Sequence, residues 1–590
     1  MEKKHKKNVG AVVHRSGVSF RVWAPFADSV AVTGPFNDWS ELPLAAEADG
    51  YWWVDVPGAR AGQEYQFIIK NGETTYHRVD PRALHFITSE GNSVIVNASF
   101  DWGDDAFVAL PVEQQIIYEL HVGTFYRPDP AICGTFRDVC DKLDYLAELG
   151  INMIELMPIS SMLMDRGWGY AADYIFAVES LYGGRYGFLQ FVKAAHARGI
   201  GVILDVVYNH FGPDENLDLW QFDGWHQDGL GGIYFYNDWR AETPWGNTRP
   251  DYGRVEVQQY ILDNVRSWMH DCRVDGLRVD STIFIRNAKG YNNDPATDLP
   301  EGWNILQQIN NLAKKINPSA LTIAEDVADN EYIVKPVRDG GAGFSSQWEL
   351  GFPHSLRQAL VSNDPATISL TEICGELGKR YNDDAFQRII YTDSHDTAAN
   401  GAARLNELLA PGSADGLFAR RQSLLAAAVL LTAPGIPMLF QGQEFMEGGS
   451  FNDWQGLDWA KASRHAGIVK AYQHLIALRK NLHNVSAGLT GKNINLMHLD
   501  EDNKVIAYHR WQAGGPRDDV VIIINFGNQL HENYVVGFPR NGTWQVRFNS
   551  TWLGYGSDFK DIVVPAVIVE TGGGTLVLPP GSVIILSQAD

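Results

Sequence analysis

Eight short apolar runs, separated mostly by helical stretches, constrain the fold of this chain more than any other feature. The runs "QIIYELHV" (115–122), "NMIELMPI" (152–159), "IGVILDVVY" (200–208) and "DGLRVDST" (275–282) read as strands, as do "ALTIAED" (320–326), "GFSSQWEL" (343–350), "RIIYTDSH" (388–395) and "MLFQGQE" (438–444). Between them lie stretches with apolar residues three and four apart. In "GTFRDVCDKLDYLAELG", for example, Val139, Leu143, Leu146 and Leu149 share a face and Gly150 is the stop. Strand and helix in repeated alternation predict an α/β chain built around a (β/α)8 barrel, here over residues 109–485.

The flanks change period. Residues 1–108 alternate apolar with small or polar residues in "VSFRVWAP" and "SVAVTG", broken by turn signals such as "KNGETTY", which predicts an N-terminal β-sandwich. Residues 486–590 return to that pattern in "VIAYHRW", "DDVVIIINF" and "GTWQVRFNS", which predicts a C-terminal all-β domain.

In such a barrel, functional residues sit at the C-terminal ends of the strands. There the sequence places Asp205, Asn209 and His210 after the third strand and Arg278 and Asp280 on the fourth. Glu325 and Asp326 follow on the fifth, His395 and Asp396 on the seventh. An unpaired ion removed from water costs several kcal/mol, roughly, so so many charges on one rim call for a polar site. Several carboxylates together suit retaining glycosidic-bond chemistry, with one carboxylate attacking the sugar and one carboxylic acid protonating the leaving oxygen. Arg278 stands two residues before Asp280, on the same strand face, where it would hold and aim that carboxylate.

Composition narrows the substrate. The net charge of −23 excludes nucleic acid and anionic membrane as natural partners, and 18 Trp, 23 Tyr and 27 Phe suit surfaces that stack on sugar rings. The basic opening "MEKKHKKN" is not followed by a secretory pattern, and the longest apolar run, 424–440, is cut by Pro434 and Pro437. Four cysteines without CxxC spacing predict free thiols and a cytoplasmic location. No zinc spacing, phosphate loop or clear calcium ligand set is present, so neither metal nor cofactor is expected, and oligomeric state is not legible.

Taken in order, "DVVYNH" (205–210), "DGLRVD" (275–280), "TIAED" (322–326) and "TDSHD" (392–396) resemble the signature regions of the α-amylase superfamily, glycoside hydrolase family 13. The N-terminal "FRVWAPFADSVAVTGPFNDW" is similar to carbohydrate-binding module family 48. This resemblance implies Asp280 as nucleophile, Glu325 as general acid/base and Asp396 as a third carboxylate on the distorted sugar. It further implies that Arg278, His210 and His395 hold that sugar and the nucleophile, with Tyr170 as its stacking platform. Asp205 either touches the sugar or braces the rim, and Trp168 either stacks on sugar or packs in the core. Trp39, Trp52 and Trp53 of the N-terminal module are assigned to packing or docking ahead of glucan binding. Within the superfamily, "LTIAEDVADNEYIVKPVRDGGAGF" and "PMLFQGQEF" resemble glucan branching enzymes, implying α-1,4-glucan as partner and transfer to a C6 hydroxyl. "YELHVGTF" and "RGWGY" are similar to maltooligosyltrehalose trehalohydrolases. That activity, a debranching or amylase-like hydrolase, and a glucan-binding scaffold without catalysis are the alternatives.

Overall fold

The computed structural model describes residues 8–88, 91–162, 167–212, 217–362 and 368–588, so the basic opening lies outside the described residues. Eight parallel strands close into a barrel, numbered here β1 (Ile117–Leu120), β2 (Met153–Leu156), β3 (Gly201–Val206), β4 (Gly276–Val279), β5 (Leu321–Ala324), β6 (Ser346–Trp348), β7 (Arg388–Tyr391) and β8 (Ile436–Phe440). β1 to β7 each fall inside one of the apolar runs, whereas β8 begins at Ile436, two residues before the run read at 438–444, and ends at Phe440. The predicted fold class is therefore present, with all-β regions on both sides.

Alternation along the strands sorts the barrel interior into layers. The lower layers are apolar, made by Ile117, Met153, Ile203, Leu321, Ile323, Ile389, Ile436 and Met438. One step further along β1 and β2, Glu119 pairs in register with Glu155, and along β3 and β4 Asp205 pairs with Arg278. All four are buried. The interior thus turns from hydrocarbon to charge as the strands approach their C-terminal ends.

Two helices depart from continuous α-helical geometry. The stretch after β1 divides into Phe136–Cys140 and Leu143–Leu149. Thr135 caps the first piece by accepting from the Asp138 N–H, while Lys142, at φ −112° and ψ 0°, interrupts the helical geometry. The helix Val255–Arg266 continues as a π-turn through Ser267–Asp271, bringing Trp268 into the core. Among the described residues no helix is long and apolar enough to cross a membrane, and all four cysteines are free.

The N-terminal module packs two antiparallel sheets over a core that includes Phe20, Val32, Phe67 and Ile69. It grips the long connection after β3. Arg78 donates to the carbonyls of Trp220, Gln221 and Phe222, Asp223 accepts the Phe26 N–H at 2.9 Å, and Phe26 stacks on Trp225. That connection also carries Trp245 to the barrel rim, so the module's docking helps set the site's outer wall. The Trp52 indole donates to the Ala24 carbonyl, a packing role, whereas Trp39 is exposed. In the C-terminal domain a six-stranded antiparallel sheet faces a two-stranded one across Val521, Ile523, Trp544 and Leu576.

Candidate active site

The site grows from Arg278, which is fully buried near the end of β4. Its Nη1 donates to Asp280 Oδ1 at 2.7 Å and to the two oxygens of Asp205 at 3.0 and 2.8 Å. Its Nη2 lies 3.0 Å from Glu325 Oε2. One guanidinium therefore touches three carboxylates delivered by three neighbouring strands, and Trp348 of β6 covers it at 4.6 Å. This placement follows from register, because Asp205 pairs with Arg278 and both Asp280 and Glu325 sit just past their strand ends.

Asp280 is buried, and its second oxygen accepts from Asn209 Nδ2 at 2.8 Å. The next residue, Ser281, adopts a left-handed φ of 44°, and its N–H donates to Glu325 Oε2 at 2.8 Å. The tight turn after the fourth strand thus fixes the carboxylate of the fifth. Burial pushes Glu325 up to about 8, with Arg278 opposing and the charges of Asp280 and Asp396 adding to the rise. A carboxyl raised in this way is suited to hold a proton and give it up.

On the opposite side of Arg278, Tyr170 links β3 to β7. Its hydroxyl donates to Asp205 Oδ2 at 2.7 Å and meets His395 Nε2 at 2.9 Å, and its ring stacks on the His395 imidazole at 5.2 Å. Glu119 holds the other face of that chain, accepting from both the backbone N–H and the Nδ1 of His395. Burial alone would lower His395, yet Asp396 and Glu119 outweigh it and lift the imidazole to about 9. Burial also raises Asp205, to about 7, against the pull of Arg278.

Asp396 is the open member, with its side chain 47% exposed and an oxygen 3.4 Å from His395 Nε2. His210 is buried and lowered to about 4 by that burial. Its Nδ1 pairs with Asn209 Oδ1 at 2.8 Å, which leaves Nε2 as an acceptor, and its ring stacks on Trp245 at 4.8 Å. Trp168 reaches the same edge, packed against Phe451 and edge-on to His395.

The nine residues singled out by sequence thus meet around one charged centre. Asp326 does not belong with them. Its carboxylate is buried and takes two bonds from Arg286, at 2.8 and 2.7 Å, so it braces the outer wall. Asp393, within the "TDSHD" motif, is likewise tied to Arg357. Sequence reasoning passed over Glu119, Glu155, Asn209 as a partner of Asp280, and Trp245. For the two glutamates a signal existed, since each interrupts an apolar strand just as Arg278 does. Among the described residues Glu155 Oε2 has no hydrogen-bond partner, and burial holds this carboxyl well above the usual range, with Glu119 reinforcing the shift.

Comparison with known proteins agrees with this architecture. The alpha amylase catalytic domain matches residues 119–220 and 220–469, the alpha amylase C-terminal all-beta domain residues 496–589, and carbohydrate-binding module 48 (isoamylase N-terminal domain) residues 8–83. The 1,4-alpha-glucan branching enzyme GlgB of Corynebacterium jeikeium (strain K411) is 30% identical over 93% of this chain and 78% of that protein. The protein of the same name from Oceanobacillus iheyensis is 30% identical over 92% of this chain and 87% of its own length. Among solved structures, the pullulanase from Anoxybacillus sp. LM18-11 complexed with maltotetraose superposes with a TM-score of 0.77 at 20% identity, covering 98% of this chain and 87% of that one. That last likeness speaks for the fold alone. The closed barrel, its flanking domains and these matches together establish that the chain belongs to the alpha-amylase family.

Proposed function

We propose that the protein is a 1,4-α-glucan branching enzyme, which cleaves an α-1,4 bond with retention and transfers the chain to a C6 hydroxyl. The observation that carries the chemistry is the sharing of Arg278 by Asp280 and Glu325. One guanidinium in contact with both draws the two carboxyls to the same point of the rim, as the roughly 5–5.5 Å separation of a retaining pair requires. The choice of acceptor is supported by likeness to GlgB branching enzymes along nearly the whole chain.

In this reading Glu325 gives its proton to the glycosidic oxygen as the Asp280 carboxylate attacks the anomeric carbon. The C–O bond to the leaving chain breaks and a glycosyl ester forms on Asp280. Asp396 stabilises the developing positive charge while the Tyr170–His395 pair holds the strained ring. Glu325, now ionised, takes the proton of an incoming C6 hydroxyl, whose oxygen attacks the same carbon and releases Asp280. Two inversions leave the configuration retained and an α-1,6 branch in place. Asp205, bonded to Arg278 and Tyr170, acts by bracing both. Four free cysteines fit the reducing cytoplasm.

Incubation with amylose tests this, following iodine absorbance, reducing ends and α-1,6 protons by NMR together. New α-1,6 signals with few reducing ends are expected. Reducing ends rising in step with chain loss would identify water as the acceptor and overturn the branching assignment.

A further inference from the structure

On the Nδ1 side of His395 two glutamates stand side by side. Glu119 and Glu155 hold the same register position on the neighbouring strands β1 and β2, so their side chains enter the barrel interior together, and each is 1% exposed. Glu119 uses both oxygens on His395, one for the backbone N–H and one for Nδ1. Glu155 Oε2 meets no partner among the described residues, and the bond-breaking and bond-making steps leave this side chain without a part.

Hydrogen bonding around His395 fixes the local charge. Asp205 accepts Arg278 on both oxygens and the Tyr170 hydroxyl on Oδ2. With its hydrogen given to Asp205, the Tyr170 oxygen accepts from His395 Nε2, while Nδ1 donates to Glu119. Both ring nitrogens therefore carry hydrogen, and the imidazolium is balanced by one carboxylate, Glu119. A second carboxylate at Glu155 has no such counter-ion. The charged groups around it are Glu119 on β1, Asp205 on β3, Arg278 on β4 and His395 after β7. Of the two cations, His395 is already held by Glu119, and Arg278 gives Nη1 to Asp205 and Asp280 with Nη2 against Glu325. A buried carboxylate left without compensation takes up a proton instead of staying charged. Neutral, it becomes a donor, and the acceptor opposite it in register is Glu119.

We propose that Glu155 is a positioning residue, a neutral carboxylic acid whose O–H serves the Glu119 carboxylate, so that the two glutamates carry one negative charge between them and hold His395 and Tyr170 steady against the reacting sugar. This rests on the retaining reading of the site and is indifferent to whether a sugar hydroxyl or water is the acceptor. A buried polar chain with every member paired is rigid, and rigid placement of the ring-holding groups is what the transition state rewards.

Glu155→Gln and Glu155→Met test it. Gln keeps the size, the neutrality and a donor, whereas Met fills the space and loses the donor. The first readout needs no turnover: the midpoint of the His395 ring titration, followed by NMR of isotope-labelled histidine and assigned with His395→Gln. In Glu155→Gln that midpoint should stay within about 0.5 of the parent value, because no charge is removed. A larger fall would show that Glu155 is ionised and would overturn the proposal. The second readout is kcat for α-1,4 cleavage, with reducing ends and α-1,6 linkages counted together so that the acceptor does not matter. Glu155→Met should lower kcat about tenfold with KM within about twofold, and Glu155→Gln should recover most of that loss. Parent-like kcat in Glu155→Met, at a native melting temperature, would reduce Glu155 to packing and remove the assignment. Should Glu155→Met not fold, the His395 midpoint in Glu155→Gln decides alone. A parent protein that cleaves no α-1,4 bond would end the retaining reading, and the same midpoint would still decide the charge on Glu155.

Discussion

Glu119 binds His395 twice, through the backbone N–H at 3.1 Å and through the ring Nδ1, across 276 residues of sequence. The double contact fixes the tilt of an imidazole whose other nitrogen faces Tyr170 and Asp396. Because His395 is lifted to about 9, the folded protein holds this proton more tightly than an unfolded chain with an ordinary value of about 6.5. The resulting stabilisation is complete below about pH 6.5 and is lost as pH rises through about 9. Glu119→Gln should lower the His395 value and move that loss toward neutrality. Proton NMR of the ring, alongside melting temperature against pH, checks it, and an unmoved His395 titration would contradict the assigned partner.

With Glu325 as the proposed acid, a value of about 8 sets an alkaline limit on catalysis. Activity requires the protonated form for the first step, so kcat/KM should fall as pH rises through about 8. The charge of Asp396 contributes to that value, and Asp396→Asn should therefore bring the limb to lower pH as well as reduce the rate. A limb that stays in place in the Asn variant would show that another group governs it.

Replacing the proposed nucleophile separates chemistry from folding. Asp280→Asn keeps the size of the side chain and should cost at least about 10³-fold in turnover. Glu325→Gln should cost roughly 10²–10⁴-fold on glucan, and far less on a glucosyl fluoride, whose leaving group needs no proton. Near-normal turnover by Asp280→Asn, with fold confirmed by circular dichroism, would end the assignment.

How much of this was legible in advance depended on what each residue answers to. Strand periodicity is local, so β1 to β8 could be read directly from apolar runs, and Arg278 and Asp280 were visible as charges where hydrocarbon belongs. The partners of those charges are set by barrel closure, which brings the first strand beside the eighth and Glu119 beneath His395. No sequence spacing encodes that distance. Asp326 misled for a related reason: adjacent to Glu325, it points to the opposite side of its strand end, as alternation requires, and meets Arg286. The helix break at Lys142 was hidden because apolar spacing continues across it while the backbone does not.

The same dependence on closure makes Arg278 a demanding position. It is fully buried against Asp205, Asp280 and Glu325, and among the described residues no other cation forms an ion pair with Asp280 or Glu325. Arg278→Met would leave buried carboxylates facing one another without the charge that holds them apart from mutual repulsion. Breaking such a buried pair typically costs about 3–5 kcal/mol, a large part of a domain's stability. The damage should shrink in acid. In the parent protein Asp205 and Glu325 already sit near 7 and 8, and without Arg278 both move higher, so protonation relieves the repulsion as pH falls. Melting temperature of Arg278→Met relative to the parent, measured from pH 8 down to pH 5, should therefore show a gap that narrows steadily. A gap independent of pH would mean that Arg278 supports the barrel by packing against Trp348 alone, and that its charge is needed only for aim.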